Sequence, residues 1–188
     1  AVNYRQHVER WKDGCGSSLC AGATSKCFAR GKLPCDVLLV GEAPGPSEDL
    51  IGQPFVGPAG HELNRWIREA GRLCERWDSL RTCFTNLICC IPRGNDGEKF
   101  TEPPDEAVRA CAPRLIELVE LSRPRLLVTV GKLAMDWIDP TWTKGVKLKR
   151  KVPQVSIVHP AFVLRASEAV RGMMRRRAVV TLANAVRG

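Results

Sequence analysis

Four short apolar runs divide the chain, and turns or amphipathic stretches separate them. They cover residues 36–41, 83–88, 125–131 and 152–160. Continuous apolar runs of this length, two of which end at a glycine, are typical of parallel strands buried on both faces. The pattern therefore predicts four strands at the centre of the fold.

Helical periodicity fills the intervals between these runs. In residues 59–71 the apolar side chains Leu63, Trp66, Ile67 and Ala70 share one helix face. Further helices are predicted over residues 3–12, 104–123, 132–138 and 167–186. Pro113 lies inside the segment 104–123, where it either kinks or breaks the helix.

Alternating strands and helices predict an α/β fold, a three-layer α/β/α sandwich around a central, mostly parallel four-stranded sheet. The 188 residues suffice for one domain, and no linker or internal repeat divides them. No run of 18 apolar residues and no signal-peptide pattern is present. We therefore expect a cytoplasmic protein with no membrane partner, and we expect a monomer.

Positive charge is concentrated in the last quarter of the chain. The formal net charge is +9, and residues 144–188 hold eleven basic residues against the single acid Glu168. A basic segment on a nearly neutral body favours a polyanionic partner, because neutralised phosphates release counterions. A solvated helix face is the alternative explanation. The concentration of charge favours nucleic acid.

Nine cysteines fall into two groups, Cys15, Cys20, Cys27 and Cys35, then Cys74, Cys83, Cys89, Cys90 and Cys111. Their odd number and the missing signal peptide argue against a disulfide framework. A metal ion or cluster that is bound by thiolates from both groups is a better explanation of the cysteines. Residues 1–35 are then an integral, cluster-binding part of the same domain, which spans residues 1–188. We expect Cys35, Cys74 and Cys83 to be small buried apolar residues.

Four motifs follow the predicted strands, at the edge where parallel sheets open to ligands. They are GEAPGPSED at 41–49, TNLICC at 85–90, VGKLA at 130–134 and HPAFVLR at 159–165. The first lacks both the dinucleotide G-x-G-x-x-G pattern and the P-loop lysine. Each motif alone is a weak signal, and their convergence on one sheet edge predicts a single site.

In this order, and together with the cysteines, the motifs resemble those of the iron–sulfur uracil-DNA glycosylases, family four of the uracil-DNA glycosylase superfamily. The resemblance runs from about Cys15 to Arg165, and Glu42 in GEAPG fits family four better than family five. It implies a base-excision-repair enzyme that flips uracil out of DNA and hydrolyses its N-glycosidic bond.

The resemblance also implies roles for individual residues. His159 bonds the uracil carbonyl and stabilises the leaving base, Asn86 reads the base edge, and Phe55 stacks on the ring. Gly41 and Ala43 belong to the loop that approaches the base. Ala43 stands where other glycosylase families carry a catalytic Asp, which implies a mechanism that depends on leaving-group stabilisation.

Three carboxylates of the first motif have different expected tasks. Glu42 orients or deprotonates the attacking water, or stabilises positive charge on the sugar. Glu48 borders the side of the pocket where thymine carries its methyl group, or assists with water. Asp49 bonds loop amides, as Asp commonly does in turns. Between Glu42 and Glu48 the choice of water-handling residue stays open.

The cluster ligands implied by the resemblance are Cys15, Cys20, Cys90 and Cys111, holding a [4Fe-4S] cluster in a structural role. Zinc is the alternative for four thiolates. Four residues separate the first pair, where the family usually has two, so Cys27 is an alternative ligand. Cys89 is likewise an alternative to Cys90, and the long stretch between Cys90 and Cys111 suggests a local insertion.

Contacts with DNA are expected from the basic segment and from HPAFVLR. Lys149, Arg150 and the run 175–177 are predicted to grip phosphates, together with Arg165. Phe162, Val163 or Leu164 is expected to fill the gap left by the flipped base.

Two further functions are open at this stage. One is a superfamily member that acts on another base, such as hypoxanthine or a modified pyrimidine. The other is a non-catalytic DNA-binding module that carries a cluster or zinc. The joint presence of Glu42, Asn86 and His159 argues against the module, because binding alone requires none of them.

Overall fold

The structure is a computed structural model that describes residues 2–93, 101–138, 145–148 and 150–187. Strands and helices alternate through most of the chain. In order they are α1 (Tyr4–Trp11), α2 (Leu19–Gly22), β1 (Val37–Gly41), α3 (Pro46–Ile51), α4 (Pro58–Leu73), a 3-10 turn (Glu75–Ser79), β2 (Thr82–Asn86), α5 (Asp105–Ser122), β3 (Leu126–Val130), α6 (Lys132–Ile138), β4 (Gln154–Ile157), α7 (Pro160–Arg165) and α8 (Glu168–Ala185).

The four strands form one sheet in the order β2-β1-β3-β4, and all three pairings are parallel. The register places Gly41 at the end of β1 beside Asn86 at the end of β2. The predicted α/β fold with a four-stranded sheet is confirmed. Because the strands are parallel, the segments that follow them all leave from one edge of the sheet.

Side chains alternate between the two faces of the sheet and feed two cores. The two central strands, β1 and β3, contribute to both cores, which is why their sequences are mostly apolar. One core joins Leu38, Val40 and Leu127 to α5 and α6. The other joins Val37, Leu39 and Val128 to α4 and α8. Helices therefore cover both faces, as the three-layer prediction requires.

The N-terminal segment packs against the α5 side of this sandwich. His7 of α1 is fully buried, and its Nδ1 lies 2.9 Å from a carboxylate oxygen of Glu117 on α5. Cys20 and Phe28 belong to the same buried core. In the described part of the chain, no helix has the length and apolar character needed to cross a bilayer.

The structure differs from the predicted elements in several places. Two short helices, α3 and α7, occupy segments that were expected to be loops, and each has proline at its first position, where the fixed φ and missing N–H suit a helix start. Helix α5 continues through Pro113 without a break. Strand β2 ends at Asn86, two residues earlier than predicted, although the backbone N–H groups of Leu87 and Ile88 still donate to the carbonyls of Gly41 and Glu42.

Candidate active site

A cavity of about 800 Å³ opens at the edge where the strands end. The loops after β1, β2, β3 and β4 all contribute to it, as the parallel sheet requires. Six of the predicted pocket residues line it, namely Glu42, Ala43, Glu48, Phe55, Asn86 and His159. The chain thus brings together side chains that are up to 117 positions apart in the sequence.

Gly41 lies where the backbone approaches two of these side chains most closely. A Cβ atom on Gly41 would stand 2.4 Å from Cζ of Phe55 and 2.5 Å from Oδ1 of Asn86. No residue with a side chain fits these distances unless its neighbours move. The glycine therefore lets the aromatic ring and the carboxamide form one continuous wall of the cavity.

Phe55 is held in an uncommon backbone conformation. Its φ is 58°, in the left-handed region, which costs roughly 1–3 kcal/mol for a residue other than glycine. Gly60 of α4 permits it, because a Cβ there would lie 1.9 Å from the carbonyl oxygen of Phe55. The ring centroid of Phe55 lies 6.4 Å from that of His159, with 29° between the planes.

His159 caps the N-terminus of α7 with its own side chain. Its Nδ1 accepts a hydrogen bond from the backbone N–H of Ala161 at 3.2 Å. Burial, followed by the nearby positive charge of Arg165, lowers the pKa of His159 to about 4. The ring is therefore neutral near pH 7, and because Nδ1 accepts, its proton resides on Nε2. Nε2–H is the donor available to a ligand.

The two glutamates of the loop differ in how far they are already engaged. Glu48 is buried, and its two carboxylate oxygens accept hydrogen bonds from the backbone N–H groups of Gly45 (3.2 Å) and Gly57 (2.7 Å). Glu48 thereby connects the two ends of the segment 45–57 beside the cavity. Burial raises the pKa of Glu42, and Glu102 raises it further, while Arg165 opposes them.

Asp49 bonds backbone amides, as expected, but those of a distant segment. Its carboxylate accepts from the N–H groups of Thr24 (2.9 Å) and Ser25 (3.1 Å), and it pairs with Arg93 at 3.2 Å. The residue thereby ties the glycine-rich loop to the N-terminal segment.

Five cysteines form one group on the α5 side of the sheet. The Sγ atoms of Cys15 and Cys20 are 3.6 Å apart, and that of Cys89 lies 3.9 Å from Cys90 and 3.8 Å from Cys111. The Cys111 thiol also raises the pKa of Cys15, and the Cys89 thiol, followed by that of Cys20, lowers the pKa of Cys90, so all five thiols influence one another. The predicted ligand set therefore converges, and Cys89 lies among its members.

The remaining cysteines are occupied elsewhere. The Cys27 thiol donates to the carbonyl of Glu48 at 3.1 Å and so faces the glycine-rich loop. Cys35 and Cys83 are buried apolar residues, as predicted, and Cys83 donates to the carbonyl of Lys32. Cys74 is only half-buried and packs against the α4–α8 core.

The cysteine group suits a thiolate-bound metal or cluster by its chemistry. The thiols touch one another, and within the described ranges no His, Cys, Asp or Glu group has metal-binding geometry. However, the fully buried Arg114 lies beside Cys111, Cys89 and Cys15, and its Nε has no acceptor among the described residues. A buried cation with an unpaired N–H fits a site in which these thiols become thiolates.

Comparison with known proteins places the chain in a family. The sequence profile described as "Uracil DNA glycosylase superfamily" matches residues 28–184. The chain belongs to the uracil-DNA glycosylase superfamily. Two relatives named "Type-4 uracil-DNA glycosylase" narrow the assignment. The protein of Archaeoglobus fulgidus is 33% identical over 148 residues, covering 71% of this chain and 69% of that protein. The protein of Pyrobaculum aerophilum is 34% identical over 160 residues, covering 78% and 76%.

A third type-4 uracil-DNA glycosylase, from Saccharolobus solfataricus, is 35% identical over 108 residues, and the match spans about half of that protein, 46% of its length. The predicted membership of family four is confirmed by these matches, and with it the predicted enzyme class of the family. The four motifs at the sheet edge all lie within residues 28–184, which the superfamily profile matches.

The residues predicted to contact DNA lie in two separate places. Phe162 and Arg165 line the cavity, and Phe162 is 51% exposed. Leu164 is half-buried on the same helix and does not line the cavity among the described residues. Arg150 lies elsewhere, because its guanidinium donates to the carbonyl of Pro124, just before β3, at the sheet edge away from the active site. Lys149 lies outside the described residues.

Helix α8 contributes a face to the cavity that the motifs did not indicate. Met174, Arg177, Ala178 and Thr181 line it. Their spacing of three, four and seven positions is that of one helix face, so helical periodicity would have grouped them once the helix was placed. Arg175 of the predicted run instead pairs with Glu69 of α4 through two hydrogen bonds of 2.7 and 3.0 Å.

Proposed function

We propose that this chain removes uracil from DNA by hydrolysing the N-glycosidic bond after base flipping. The arrangement of Phe55, Asn86 and His159 around one cavity is the observation that carries the proposal. A stacking surface, an amide with both donor and acceptor capacity, and a neutral imidazole donor are what recognition and expulsion of a uracil ring require.

His159 is the proposed stabiliser of the leaving base. When the bond between the sugar and N1 of uracil breaks, the electron pair remains on the base, and negative charge spreads onto its carbonyl oxygens. The Nε2–H of the neutral His159 donates to such an oxygen. Because the amide of Ala161 and the burial of the ring hold this tautomer beforehand, little reorganisation accompanies the reaction.

Asn86 and Phe55 are the proposed base-reading residues. The carboxamide of Asn86 offers an acceptor to N3–H of uracil and a donor to a neighbouring carbonyl, a pairing that cytosine cannot match in both positions. Phe55 provides the stacking face. Gly41 brings the two side chains together, which supports their action on one ring.

Glu42 is the proposed residue that handles water. A water molecule attacks C1′ of the sugar, and Glu42 orients it and accepts its proton. Glu48 is less suited to this task because both of its oxygens already accept loop amides. The raised pKa of Glu42 also matches a base that must take up a proton.

Cys15, Cys20, Cys90 and Cys111 are the proposed ligands of a [4Fe-4S] cluster. The cluster would supply structural cross-linking between the N-terminal segment, the β2 loop and α5. The buried thiols and the neighbouring Arg114 support this assignment, and the position of Cys27 against Glu48 argues against Cys27 as a ligand. Zinc in the same thiols is the competing possibility.

DNA is the proposed partner, bound at the mouth of the cavity. Arg165, Arg177 and Lys132 line that mouth, and Phe162 stands exposed beside them. The cations would contact phosphates, and Phe162 would fill the space left by the flipped base.

A single-turnover assay tests the proposed activity. The chain is incubated with oligonucleotides that contain uracil, hypoxanthine or a thymine mispair, and alkali then cleaves abasic sites. We expect cleavage at uracil, and a loss of about 100-fold or more in His159→Ala and in Asn86→Ala. Cleavage only at hypoxanthine, or at none of the three, would contradict the proposal.

A further inference from the structure

Arg114 carries a guanidinium that is wholly buried. It lies on α5, three residues after Cys111, and its side chain has no exposed surface. Taking a charge out of water costs on the order of several kcal/mol unless its partners compensate. The partners of Arg114 therefore indicate why the core tolerates it.

On one side, Arg114 contacts three consecutive residues at the end of β2, namely Thr85, Asn86 and Leu87. Nη1 donates to the hydroxyl of Thr85 at 3.0 Å, and Nη2 donates to the carbonyls of Asn86 and Leu87, both at 2.8 Å. The hydroxyl of Thr85 in turn donates to the carbonyl of Phe28 at 2.7 Å. One planar group thus holds the backbone on both sides of the Asn86 peptide.

Its other neighbours are the thiols of the cysteine group. Cys111 lies three residues before Arg114 on α5, so the two side chains share one face of the helix. A guanidinium keeps its proton in proteins, so Arg114 is charged in this position. Its Nε, which has no acceptor among the described residues, is available to the same group. Negative charge on ligated thiolates would balance the buried cation.

We propose that Arg114 is a positioning residue that sets the carboxamide of Asn86 for uracil and links it to the cysteine group. The inference rests on the proposed function, because it requires that Asn86 reads the base. Arg114 itself does not touch the base. It acts by fixing the backbone from which Asn86 projects.

Arginine suits this task better than lysine. Its rigid fork donates along several directions in one plane, so one side-chain hydroxyl and two backbone carbonyls are held in a fixed relation. A lysine ammonium keeps the charge next to the thiols but cannot reach all three acceptors at once. Arg114→Lys therefore separates the positioning function from charge balance.

A double-mutant cycle tests the proposal through single-turnover excision of uracil. We expect Arg114→Lys to lower the rate by about tenfold in the native chain and by less than about twofold when Asn86 is already Ala. In the His159→Ala background, Arg114→Lys should lower the rate by the same factor as in the native chain, because His159 is held by α7 and not by Arg114. Equal losses in all three backgrounds would overturn the proposal.

Product inhibition gives a second readout that general loosening of the fold does not predict. Arg114→Lys should weaken inhibition by free uracil, because that inhibition needs base reading without chemistry. Affinity for an oligonucleotide with an abasic site should be unchanged. Arg109→Lys on the same helix, where the side chain is exposed and pairs with Asp105, is the matched control and should alter neither.

Metal content distinguishes positioning from retention of the cluster. Iron and zinc per chain should be the same in Arg114→Lys and in the native protein. A metal content that falls in step with the rate would assign Arg114 to metal retention and overturn the positioning role. If Arg114→Lys does not fold, Thr85→Val removes one of the three acceptors and enters the same cycle, with a smaller expected loss and the same requirement of non-additivity with Asn86→Ala.

The cycle also separates this inference from the proposed function. A normal rate in Asn86→Ala would refute the base-reading role of Asn86 and the inference with it. A slow Asn86→Ala combined with an additive Arg114→Lys would leave the base-reading role intact and refute only the inference.

Discussion

The Nδ1 atom of His159 accepts the backbone N–H of Ala161, two residues further along the chain, at 3.2 Å. This bond joins the start of α7 to the chemistry of the cavity. It fixes the ring orientation and leaves the proton of the neutral imidazole on Nε2. A helix cap, ordinarily a feature of local stability, here selects the tautomer that the proposed reaction uses.

The first prediction concerns the titration of His159. Its pKa is lowered to about 4, so the folded chain binds this proton less readily than the unfolded chain does. The contribution of His159 to stability is therefore complete above the ordinary pKa of about 6.5 and is lost as the pH falls from there toward 4. NMR titration should show a His159 resonance that is constant between pH 8 and about 5.5.

A His159 midpoint near 6.5 would show that the ring is not shielded as described. It would also mean that the ring is partly charged at neutral pH, and the proposed neutral donor would have to be abandoned.

The second prediction separates the two loop glutamates by their pH profiles. Because the pKa of Glu42 is raised, the excision rate should fall as the pH drops through that value, and Glu42→Gln should remove this acid limb while lowering the plateau by about 10- to 100-fold. Glu48→Gln should keep the limb. Its main effect should be a lower melting temperature, because a loop amide loses its acceptor at a cost of about 1–3 kcal/mol.

Stopped-time excision assays between pH 4.5 and 8 and thermal melts of both variants check this assignment. If Glu48→Gln, and not Glu42→Gln, loses the acid limb, the water-handling role belongs to Glu48.

The sheet edge was predictable because parallel topology leaves little freedom. Once four apolar runs are recognised as parallel strands, their following residues must meet at one edge, which is how Gly41, Asn86 and His159 come together. The positions of Arg150 and Cys89 were not predictable in this way. A basic residue in a charged run has no periodic signal for its direction, and neighbouring cysteines differ only in which way each side chain points.

Arg114 was missed for a different reason. It lies on an amphipathic helix at a position where the pattern predicts an apolar residue. From the sequence alone, an arginine there is interpreted as a solvent-exposed charge. Only the thiols and carbonyls that surround it in three dimensions explain its burial. The hydrogen bonds that Glu48 accepts from Gly45 and Gly57 were equally unpredictable, because the positions of these amides depend on how the loop closes.

The third prediction concerns Gly41. In Gly41→Ala the new methyl group must displace Phe55 or Asn86, since it would start 2.4 and 2.5 Å from them. We expect the excision rate to fall by about 100-fold or more, while stability changes by less than about 2 kcal/mol, because both displaced groups, although buried, line a cavity into which they can move. Single-turnover rates and denaturant melts measure the two effects.

Gly172→Ala is the matched control. The added methyl meets only the flexible end of Arg176 at 3.6 Å inside helix α8. It should leave the rate unchanged and stabilise the helix by up to about 1 kcal/mol. A native rate in Gly41→Ala would mean that the wall formed by Phe55 and Asn86 is not required.

The fourth prediction tests the cysteine assignment. Cys20→Ser and Cys111→Ser should lose bound metal and show a reduced melting temperature, whereas Cys27→Ser should retain metal because its thiol faces the carbonyl of Glu48. A protein that absorbs near 400 nm and contains iron and sulfide supports the iron–sulfur cluster. A colourless protein with one zinc per chain would decide for zinc in the same thiols.

Cys89 provides the sharpest case, because its sulfur lies within 3.9 Å of both Cys90 and Cys111. Cys89→Ser should keep the metal if Cys90 is the ligand. Loss of metal in Cys89→Ser but not in Cys90→Ser would exchange the two assignments.

The last prediction concerns the cations around the cavity. Arg177 of α8 lines the mouth of the cavity, whereas Arg150 donates to the carbonyl of Pro124 at the other edge of the sheet. Each phosphate contact contributes about −0.9 to the slope of log K against log salt for duplex DNA and about −0.7 for single strands. Arg177→Gln should therefore weaken binding to an abasic oligonucleotide and make this slope shallower by nearly one.

Arg150→Gln removes the same charge from the other edge of the sheet and should change neither quantity. Fluorescence anisotropy over a series of salt concentrations measures both variants together. If the two variants lose affinity equally, net charge and not the position of Arg177 governs DNA binding, and the proposed path of the DNA across the cavity mouth is wrong.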